Sequence, residues 1–526
     1  MIFSFGLNLH LLPLWADEPI RALVSFHMLL DHQWLNPHIN GLPYLNKPPL
    51  YNWILASFFK LFGVHNWVVR LPSFLSILGF SLQLYFLGSR IFNDYRKAIL
   101  LGTSLLISGN FLVFSSILGH IDIPYSWLVF NQIYFSFYYS KRKRYGLLFG
   151  FSYLLCFVGF MMKGLPSLVF QGLSLFTIFL HNRNLKKLFH PAHFLSLLVF
   201  FSLNAIYFWQ FSKTGSLSDF LWVLFKESSQ RTFTNKTWWE STKHLFEFPL
   251  KLLIDFLPSI FLIFILLIKK NRQRFKDSSF YALSWVFALN LIPYWLSPDY
   301  RARYIFALIP LISIPLIDCL PLQQVKSDLS KKIFILMLFI IFTVLLFCSF
   351  VQVFSFQDIR TFQLASIYFF IFTAIYLLLF LQEHPLMHLI SFFLLGKLLF
   401  NLIVIPQRNQ EISKPRAEEI ANKIAVITTN KKLEMMNCNV DLDLNWYIST
   451  HRKLPTKMQT QKFDTSVFYI VPEEIICCQE DVRYYFRFTR KFENKKMALV
   501  KFKHFRHYQK TDVENEIISP RYYLNQ

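Results

Sequence analysis

The feature that most limits how this chain can fold is a series of long apolar runs in its first 405 residues. Each run has about the 20 residues that a helix needs to cross a bilayer core of roughly 30 Å. The runs lie near residues 1–15, 71–89, 98–117, 123–140, 145–162, 164–181, 193–211, 249–268, 279–297, 303–321, 333–352, 362–382 and 385–405. The chain is 54% hydrophobic and contains 62 Phe, which is more apolar surface than the core of a soluble protein buries. We therefore predict an all-α polytopic membrane domain with about thirteen transmembrane helices.

Lysine and arginine in the short loops predict which side of the membrane each loop occupies, because cytoplasmic loops are enriched in these residues. Counted from an amino terminus on the inner side, every basic cluster falls on the cytoplasmic face, and only the loop around Glu383 lacks one. These clusters lie at residues 90–97, 141–144, 183–187, 269–276 and 326–332. The same count places two long loops, 16–70 and 212–248, on the outer face with the tail that follows residue 405.

The tail at 406–526 has a different pattern from the membrane domain at 1–405. Its apolar residues form short strand-like runs, such as 425–428 and 467–471, between polar stretches. We predict a small soluble α/β domain there, which packs over the membrane part or contacts a partner.

Charge and cysteine spacing exclude two classes of function. The net charge is +23, but the basic residues lie between apolar runs and in the tail, and no recognition motif accompanies them, so we expect no nucleic-acid partner. The six cysteines have no metal-binding spacing. If the tail is outside the cytoplasm, Cys438 has Cys477 and Cys478 as candidate disulfide partners, and free thiols are the alternative.

Two short motifs in the first outer loop place charged side chains at the membrane surface. Asp17 and Glu18 are adjacent carboxylates at the point where the first span ends. Acid pairs at such a boundary are often helix caps, and that interpretation stays open. Lys47 precedes two prolines, which stop a helix and fix the local backbone. A lysine presented from a rigid turn suits a phosphate or pyrophosphate group.

Several motifs together give this sequence a family resemblance. They are Asp17-Glu18, Asn40-Gly41 to Tyr44, Lys47-Pro48-Pro49-Leu50-Tyr51 and Arg70-Leu71-Pro72-Ser73. The pattern resembles the amino-terminal signature of lipid-dependent glycosyltransferases of the C fold (GT-C). The nearest relatives by this comparison are the lipid A aminoarabinose transferases, and the protein O-mannosyltransferases are more distant. The resemblance extends over residues 1–405 and weakly through the tail.

The resemblance implies a GT-C fold, a polyprenyl monophosphate sugar as donor, and transfer on the outer face of the membrane. That placement agrees with the topology predicted from loop charges, which depends on different residues. The expected location is a bacterial inner membrane, with the active site and the tail on the periplasmic side. The expected acceptor is a lipid A-like lipid or another glycan of the cell envelope, and a protein acceptor is the alternative.

By resemblance, Asp17 is the carboxylate at the anomeric carbon of the sugar, with Glu18 beside it. Asp122, in the motif Gly119-His120-Ile121-Asp122, matches the second acidic position of the family and would support Asp17. A helix cap is the alternative for Asp122.

Six residues are candidates for binding substrate phosphate, five of them by the same resemblance and Lys163 by its position in an apolar stretch: Tyr44, Lys47, Lys163, Arg231, Arg303 and Tyr304. Lys163 interrupts an apolar stretch, where a lysine suggests function, and a side chain that snorkels to the headgroups is the alternative. Arg231 lies in a polar loop, where a solvated side chain is the ordinary interpretation. Arg303 and Tyr304 begin the tenth predicted span, where a belt of positive charge at the span end is the alternative.

Two departures from the aminoarabinose branch leave the sugar and the acceptor open. Relatives carry Glu directly before the lysine of the Lys-Pro-Pro motif, whereas this chain has Asn46. They carry Arg-Tyr shortly after the Asp-Glu pair, whereas this chain has Pro19-Ile20-Arg21.

We predict no organic cofactor and no dedicated metal site, although a divalent cation near Asp17 stays open because Glu18 and Asp122 are further carboxylates. A monomer is compatible with the sequence. Two other classes of protein remain as alternatives, a lipid-linked sugar flippase and a non-catalytic membrane scaffold. A flippase should show paired halves and charges at the midplane, whereas the candidates here gather at one predicted face.

Overall fold

The computed structural model describes residues 2–229, 238–256, 259–298, 300–320 and 385–406, and in the tail residues 409, 417–436, 438, 440–458, 464–473, 482–489 and 496–502. The chain divides into two compact units. Unit 1 consists of Met1–Leu12, Arg70–Ala205 and Ser228–Asn409, and unit 2 of Pro13–Val69, Ile206–Glu227 and Gln410–Gln526. The predicted spans at 333–352 and 362–382 lie outside the described residues.

The α-helices of the described residues are numbered here in chain order. They are α1 (Ile2–Gly6), α2 (Glu18–Asp31), α3 (Leu50–Phe62), α4 (Asn66–Phe92), α5 (Tyr95–Thr103), α6 (Gly109–Val113), α7 (Asp122–Lys141), α8 (Tyr145–Lys163), α9 (Pro166–His181), α10 (Pro191–Ser212), α11 (Leu217–Ser229), α12 (Trp238–Asp255), α13 (Lys269–Asp277), α14 (Tyr281–Leu296), α15 (Ile309–Asp318), α16 (Pro385–Leu399), α17 (Ala417–Ile427) and α18 (Leu442–Arg452). Short 3-10 helices at Ser115–Ile117, Leu185–Phe189, Ser259–Leu267 and Ala302–Ile305, and a π-helix at Phe400–Val404, complete the helical part.

Helices that follow one another along the chain form much of unit 1. Helices α7, α8 and α9 pack against each other, and α14 packs on α9. Short connections make consecutive packed helices antiparallel neighbours. Lys143 (φ 55°) and Gly164 (φ 81°) turn the chain between these helices in left-handed backbone conformations. The apolar runs at 123–140 and 145–162 therefore predicted two real helices to within a few residues.

Long apolar helices support the prediction of a membrane protein. Of the described helices, α4, α8 and α10 are long and apolar enough to cross a bilayer. The pair α13 and α14, bent by 93° at the break, passes the same test together. The helical membrane fold with a small α/β tail is confirmed, and the number of about thirteen spans stays a prediction.

One predicted span, 98–117, is an interrupted helix rather than a continuous one. Helix α5 ends at Thr103 and α6 begins at Gly109. The hydroxyls of Thr103, Ser104 and Ser108 each donate a hydrogen bond of 2.8 Å to a backbone carbonyl three or four residues earlier. Such bonds compete with the regular helical ladder, and these three lie at the interruption.

The first described helix is much shorter than the span predicted at the amino terminus. Within the predicted span 1–15 the described helix covers only Ile2–Gly6. Arg70, which is 1% exposed, holds the residues that follow this helix. Its Nη1 donates to the carbonyl oxygens of Leu9 at 2.6 Å and Leu12 at 3.0 Å. A buried guanidinium needs such acceptors, so the chain is fixed at this point.

Unit 2 has its own apolar core, to which both the segment 16–70 and the tail contribute. Helices α2 and α3 pack against each other, and α2 also packs against α18. Members of the shared core include Leu23, Phe26, Leu55, Phe59 and Trp446. The segment 16–70, predicted as a loop, therefore holds two helices and a hairpin whose apolar faces are too short to span a membrane.

The tail contains a five-stranded sheet. Its strands are β3 (Leu433–Met435), β4 (Lys457–Met458), β5 (Phe468–Pro472), β6 (Val482–Thr489) and β7 (Lys496–Phe502), after the hairpin strands β1 (His38–Ile39) and β2 (Leu42–Pro43). The order is β4-β3-β5-β7-β6, with β3 parallel to β4 and β5, and β7 antiparallel to β5 and β6.

One of the two strand-like runs in the tail is a strand and the other is not. The run at 467–471 is β5, as predicted. The prediction of a strand at 425–428 is wrong, because helix α17 continues to Ile427. Ala421 and Ile424 of that helix are buried three residues apart, and Glu418 and Glu419 occupy its first turn. That spacing and those charges are helical signals that the four apolar residues alone do not show.

Candidate active site

The described candidate residues form two groups, one in each unit. In unit 1, Asp122 opens helix α7 and Lys163 ends helix α8. Because the two helices form a hairpin, these ends meet, and Lys163 Nζ forms an ion pair with Asp122 Oδ1. The helix dipoles favour this placement, with the carboxylate at an amino-terminal end and the ammonium at a carboxyl-terminal end. Helix α8 stops here because Gly164, with φ 81°, follows Lys163.

Arg303 provides the second cation of this group. It lies in the 3-10 turn Ala302–Ile305, and its Nε is 3.2 Å from Asp122 Oδ2. Its Nη1 lies 3.0 Å from Nε2 of His120. The backbone carbonyl of His120 accepts a hydrogen bond of 2.8 Å from the Ser73 hydroxyl. The turn before α7 is therefore fixed from two sides.

Aromatic rings line this group of charges. Lys163 Nζ lies 4.8 Å from the ring centre of Tyr125 and 4.7 Å from that of Tyr304. The guanidinium carbon of Arg303 lies 5.8 Å from the Tyr304 ring. Ring faces attract cations at such distances. Tyr304, predicted to bind phosphate, thus lies within the group that contains both cations.

Lys163 and Arg303 both form ion pairs with the single carboxylate of Asp122. Asp122 is 2% exposed, Lys163 7% and Arg303 8%. Lys163 therefore does not snorkel to the headgroups, and Asp122 makes ion pairs in addition to opening a helix. Two cations buried together can bind an anion and stabilise negative charge that develops on it.

In unit 2, Lys47 lies between β2 and α3, and Pro48 and Pro49 lead directly into that helix. Its Nζ forms an ion pair with Oε2 of Glu227, near the end of α11. The two side chains are 14% and 15% exposed. Lys47 is thus held by a carboxylate on a helix 180 residues away in sequence.

Tyr44 is nearly enclosed, at 3% exposure. Burial raises the pKa of its hydroxyl to about 12, an effect that Glu227 and Asp17 increase and that Arg21 opposes. The guanidinium carbon of Arg21 lies 5.5 Å from the Tyr44 ring centre. Tyr44 therefore stays protonated at neutral pH and can donate a hydrogen bond to an anion. Asp17 and Glu227 therefore both lie within electrostatic reach of Tyr44.

Asp17 is the N-cap residue of α2, yet its side chain makes no capping hydrogen bond. Glu18 is fully buried, and its Oε2 accepts a hydrogen bond of 2.9 Å from the Trp15 amide. The two adjacent carboxylates therefore differ in burial: Glu18 is fully buried and Asp17 is partly exposed. This difference fits Asp17 better than Glu18 as the reactive carboxylate.

The structure adds two residues that the sequence analysis did not select. His120 contacts Arg303, and Glu227 pairs with Lys47. His120 lies two residues before Asp122, and Glu227 lies four residues before Arg231, so their position near a candidate residue was the available signal. Arg231 lies outside the described residues. No cluster of three His, Cys, Asp or Glu side chains that could hold a metal ion occurs in the part of the chain that the structure describes.

In the tail, Cys438 is buried, and its Sγ lies 3.1 Å from the carbonyl oxygen of Ile470. Its candidate partners Cys477 and Cys478 lie outside the described residues, so a disulfide stays a prediction.

Sequence comparison connects this chain to known transferases. The model of the dolichyl-phosphate-mannose-protein mannosyltransferase family matches residues 46–209. An undecaprenyl phosphate-alpha-4-amino-4-deoxy-L-arabinose arabinosyl transferase of Pseudomonas fluorescens is 33% identical over 31% of each chain. An uncharacterised protein of Aquifex aeolicus is 25% identical over 62% of this chain and 63% of its own length. The chain thus spans less than two thirds of the length of these curated relatives.

Comparison with solved structures identifies the fold. A crystal structure of ArnT from Cupriavidus metallidurans bound to undecaprenyl phosphate superposes with a TM-score of 0.69, covering 97% of each chain at 16% identity. The apo structure of the same protein superposes with a TM-score of 0.66. The chain therefore has the GT-C fold and resembles the aminoarabinose transferases, as its motifs predict.

Proposed function

We propose that this chain is an inverting glycosyltransferase that uses a polyprenyl monophosphate sugar as donor. It transfers the sugar to a lipid or another acceptor of the cell envelope, on the outer face of a bacterial inner membrane. The observation that carries the proposal is the buried group of Asp122, Lys163 and Arg303, whose two cations suit a lipid phosphate. Relatives that act on undecaprenyl phosphate sugars support the donor class.

The reaction breaks one bond and forms one. An acceptor oxygen attacks the anomeric carbon while the bond from that carbon to the phosphate oxygen breaks, and the configuration inverts. Asp17 accepts the proton of an acceptor hydroxyl, or orients the acceptor when it is already an anion. The phosphate leaves with the bonding electron pair as a monoester that has gained one negative charge.

The cations act on that leaving group. Lys47 and the Tyr44 hydroxyl bind phosphate oxygens, and Lys163, Arg303 and Arg231 offset the charge that develops as the bond breaks. A phosphate leaves without much acid assistance, so one carboxylate and several fixed cations suffice. Asp122 keeps Lys163 and Arg303 in place between turnovers.

The donor class is tested with membranes that contain or lack the chain. Three radiolabelled donors of the same sugar are compared: a polyprenyl monophosphate, a polyprenyl pyrophosphate and a nucleotide. The expected result is chain-dependent transfer from the monophosphate alone. Equal transfer from the nucleotide donor contradicts the proposal, and so does movement of the lipid-linked sugar across the membrane without transfer, which identifies a flippase.

A protein acceptor is the second candidate, because the family whose model matches residues 46–209 is described as transferring mannose to protein. Partition of the labelled product distinguishes the acceptors. A label that enters the chloroform–methanol phase marks a lipid acceptor. A label that stays with protein and is released by alkaline elimination marks O-glycosylation.

A further inference from the structure

Helix α18 of the tail lies against the segment that carries Tyr44 and Lys47. That segment begins with the hairpin of β1 and β2, in which Ile39 pairs with Leu42. Asn40 and Gly41 form its two-residue turn, with φ of 56° and 79°. Positive φ at both positions is the signature of a type I′ turn, for which Asn-Gly is the preferred pair. The hairpin leads to Tyr44 directly and to Lys47 three residues later.

The tail binds this turn through one side chain and one backbone amide. Asn445 Nδ2 donates to Asn40 Oδ1 at 2.6 Å, and both residues are fully buried. The amide of Met458 donates to the Asn40 carbonyl at 2.8 Å. A side chain added at Gly41 would meet the aliphatic chain of Lys457 at 3.5 Å. The turn is thus bonded and packed against α18 and β4.

The same helix holds the far end of the segment. Trp446 is 1% exposed, and its ring stacks on Phe59 of α3 with centroids 5.7 Å apart. Its Nε1 donates to Asn66 Oδ1 at 2.8 Å. Adjacent residues of α18 therefore bind the segment before Tyr44 and after Lys47, so that the lysine lies between two fixed points.

We infer that the tail is a positioning element for the donor-phosphate lysine, and that Asn445 is a positioning residue for Lys47. The inference builds on the proposed function, and it assigns the tail a role in donor binding although it contributes no reacting group. When one partner of a buried hydrogen bond is removed, the other polar group stays buried without a partner, which costs its full desolvation free energy. We therefore expect the hairpin to loosen without Asn445.

The test compares Asn445→Ala with Thr450→Ala in the full chain in detergent. Thr450 is the matched control, because its hydroxyl donates to the Tyr447 carbonyl within the same helix. Amide hydrogen exchange is measured for residues 38–48 and, as reference, for α7 and α8. Binding of undecaprenyl phosphate and the KM for the donor are measured on the same preparations.

For Asn445→Ala we expect roughly tenfold faster exchange at 38–48, unchanged exchange in α7 and α8, and at least fivefold weaker binding of undecaprenyl phosphate. The KM for the acceptor should not change. Asn40→Gly keeps the turn but removes the bond, so it should reproduce these effects, and the double variant should be no worse than either single variant.

The outcomes separate the inference from the proposed function. Unchanged exchange at 38–48 in Asn445→Ala overturns the inference whatever the enzyme does. Faster exchange with unchanged lipid binding overturns the positioning of Lys47. If the wild-type chain itself binds no undecaprenyl phosphate, the proposed function fails and the positioning role fails with it, while the exchange data still report on the tail.

Discussion

Asp122 and Lys163 form a buried ion pair because they stand at adjacent ends of one helical hairpin, 41 residues apart in sequence. Neither residue alone is informative, since an acid that begins a helix and a lysine that ends one are both common. Here Lys163 pairs with one carboxylate oxygen of Asp122 and Arg303 with the other, so the two helix ends form a buried charged site.

The first prediction concerns this pair. Asp122→Asn leaves two buried cations without their carboxylate, and breaking a buried ion pair costs about 3–5 kcal/mol. We expect a lower thermal midpoint in detergent and loss of sugar transfer. The double variant Asp122→Asn/Lys163→Met leaves one buried cation unpaired instead of two, so it should recover part of the stability and none of the transfer. A double variant with near wild-type transfer would make the pair purely structural.

The second prediction concerns Glu227. If Lys47 binds the lipid phosphate as proposed, the Glu227 carboxylate competes with that phosphate, so Glu227→Gln should tighten binding of undecaprenyl phosphate. Because the pair is partly exposed, the expected gain is about two- to fivefold in Kd. Isothermal titration in detergent measures it, with Asp219→Asn, an exposed acid on the same helix, as control. Weaker binding by Glu227→Gln alone would mean that Glu227 orients Lys47 instead of competing for it.

The third prediction is a pH dependence of stability in unit 2. Burial, together with the charges of Lys457 and His38, lowers the pKa of His27 to about 4. The unfolded chain, with a pKa near 6.5, binds the proton first, so stability is full above about pH 6.5 and falls as the pH drops to about 4. The loss amounts to about 3 kcal/mol.

Thermal unfolding followed by tryptophan fluorescence at pH 4.5, 5.5 and 7 measures this effect. His27→Gln should flatten the dependence, because it removes the group that must charge. His65→Gln, at an exposed position, should leave the dependence unchanged. Equal slopes for wild type and His27→Gln would assign the acid sensitivity to other groups.

Sequence reasoning predicted the helices best where apolar runs were continuous. Helices α7, α8 and α10 match their predicted spans within about two residues, since their composition leaves no competing conformation. The prediction of one continuous helix at 98–117 was wrong. Hydroxyl side chains at the interruption bond to the backbone, and hydropathy does not take such bonds into account. Helix α2 was missed because it is buried by the tail and not by lipid, and nothing local indicates that partner.

The candidate residues followed from motifs, but their partners did not. Lys163 was selected because a lysine in an apolar run is costly, and burial against Asp122 is the reason that the chain tolerates it. The pairing of Lys47 with Glu227 and of Asn40 with Asn445 depends on how distant segments of unit 2 pack. Contacts of that kind have no signature in a single sequence.

The most direct test of the account is sugar transfer from a polyprenyl monophosphate donor by membranes that contain the wild-type chain or Asp17→Asn at matched expression. Asn keeps the size of the side chain and cannot accept the proton or carry the charge. We predict transfer by the wild type and a loss of a hundredfold or more in the variant, on the order of what a general base contributes. Transfer by Asp17→Asn at the wild-type rate would contradict the account, because it would remove the carboxylate around which the reaction is proposed to occur.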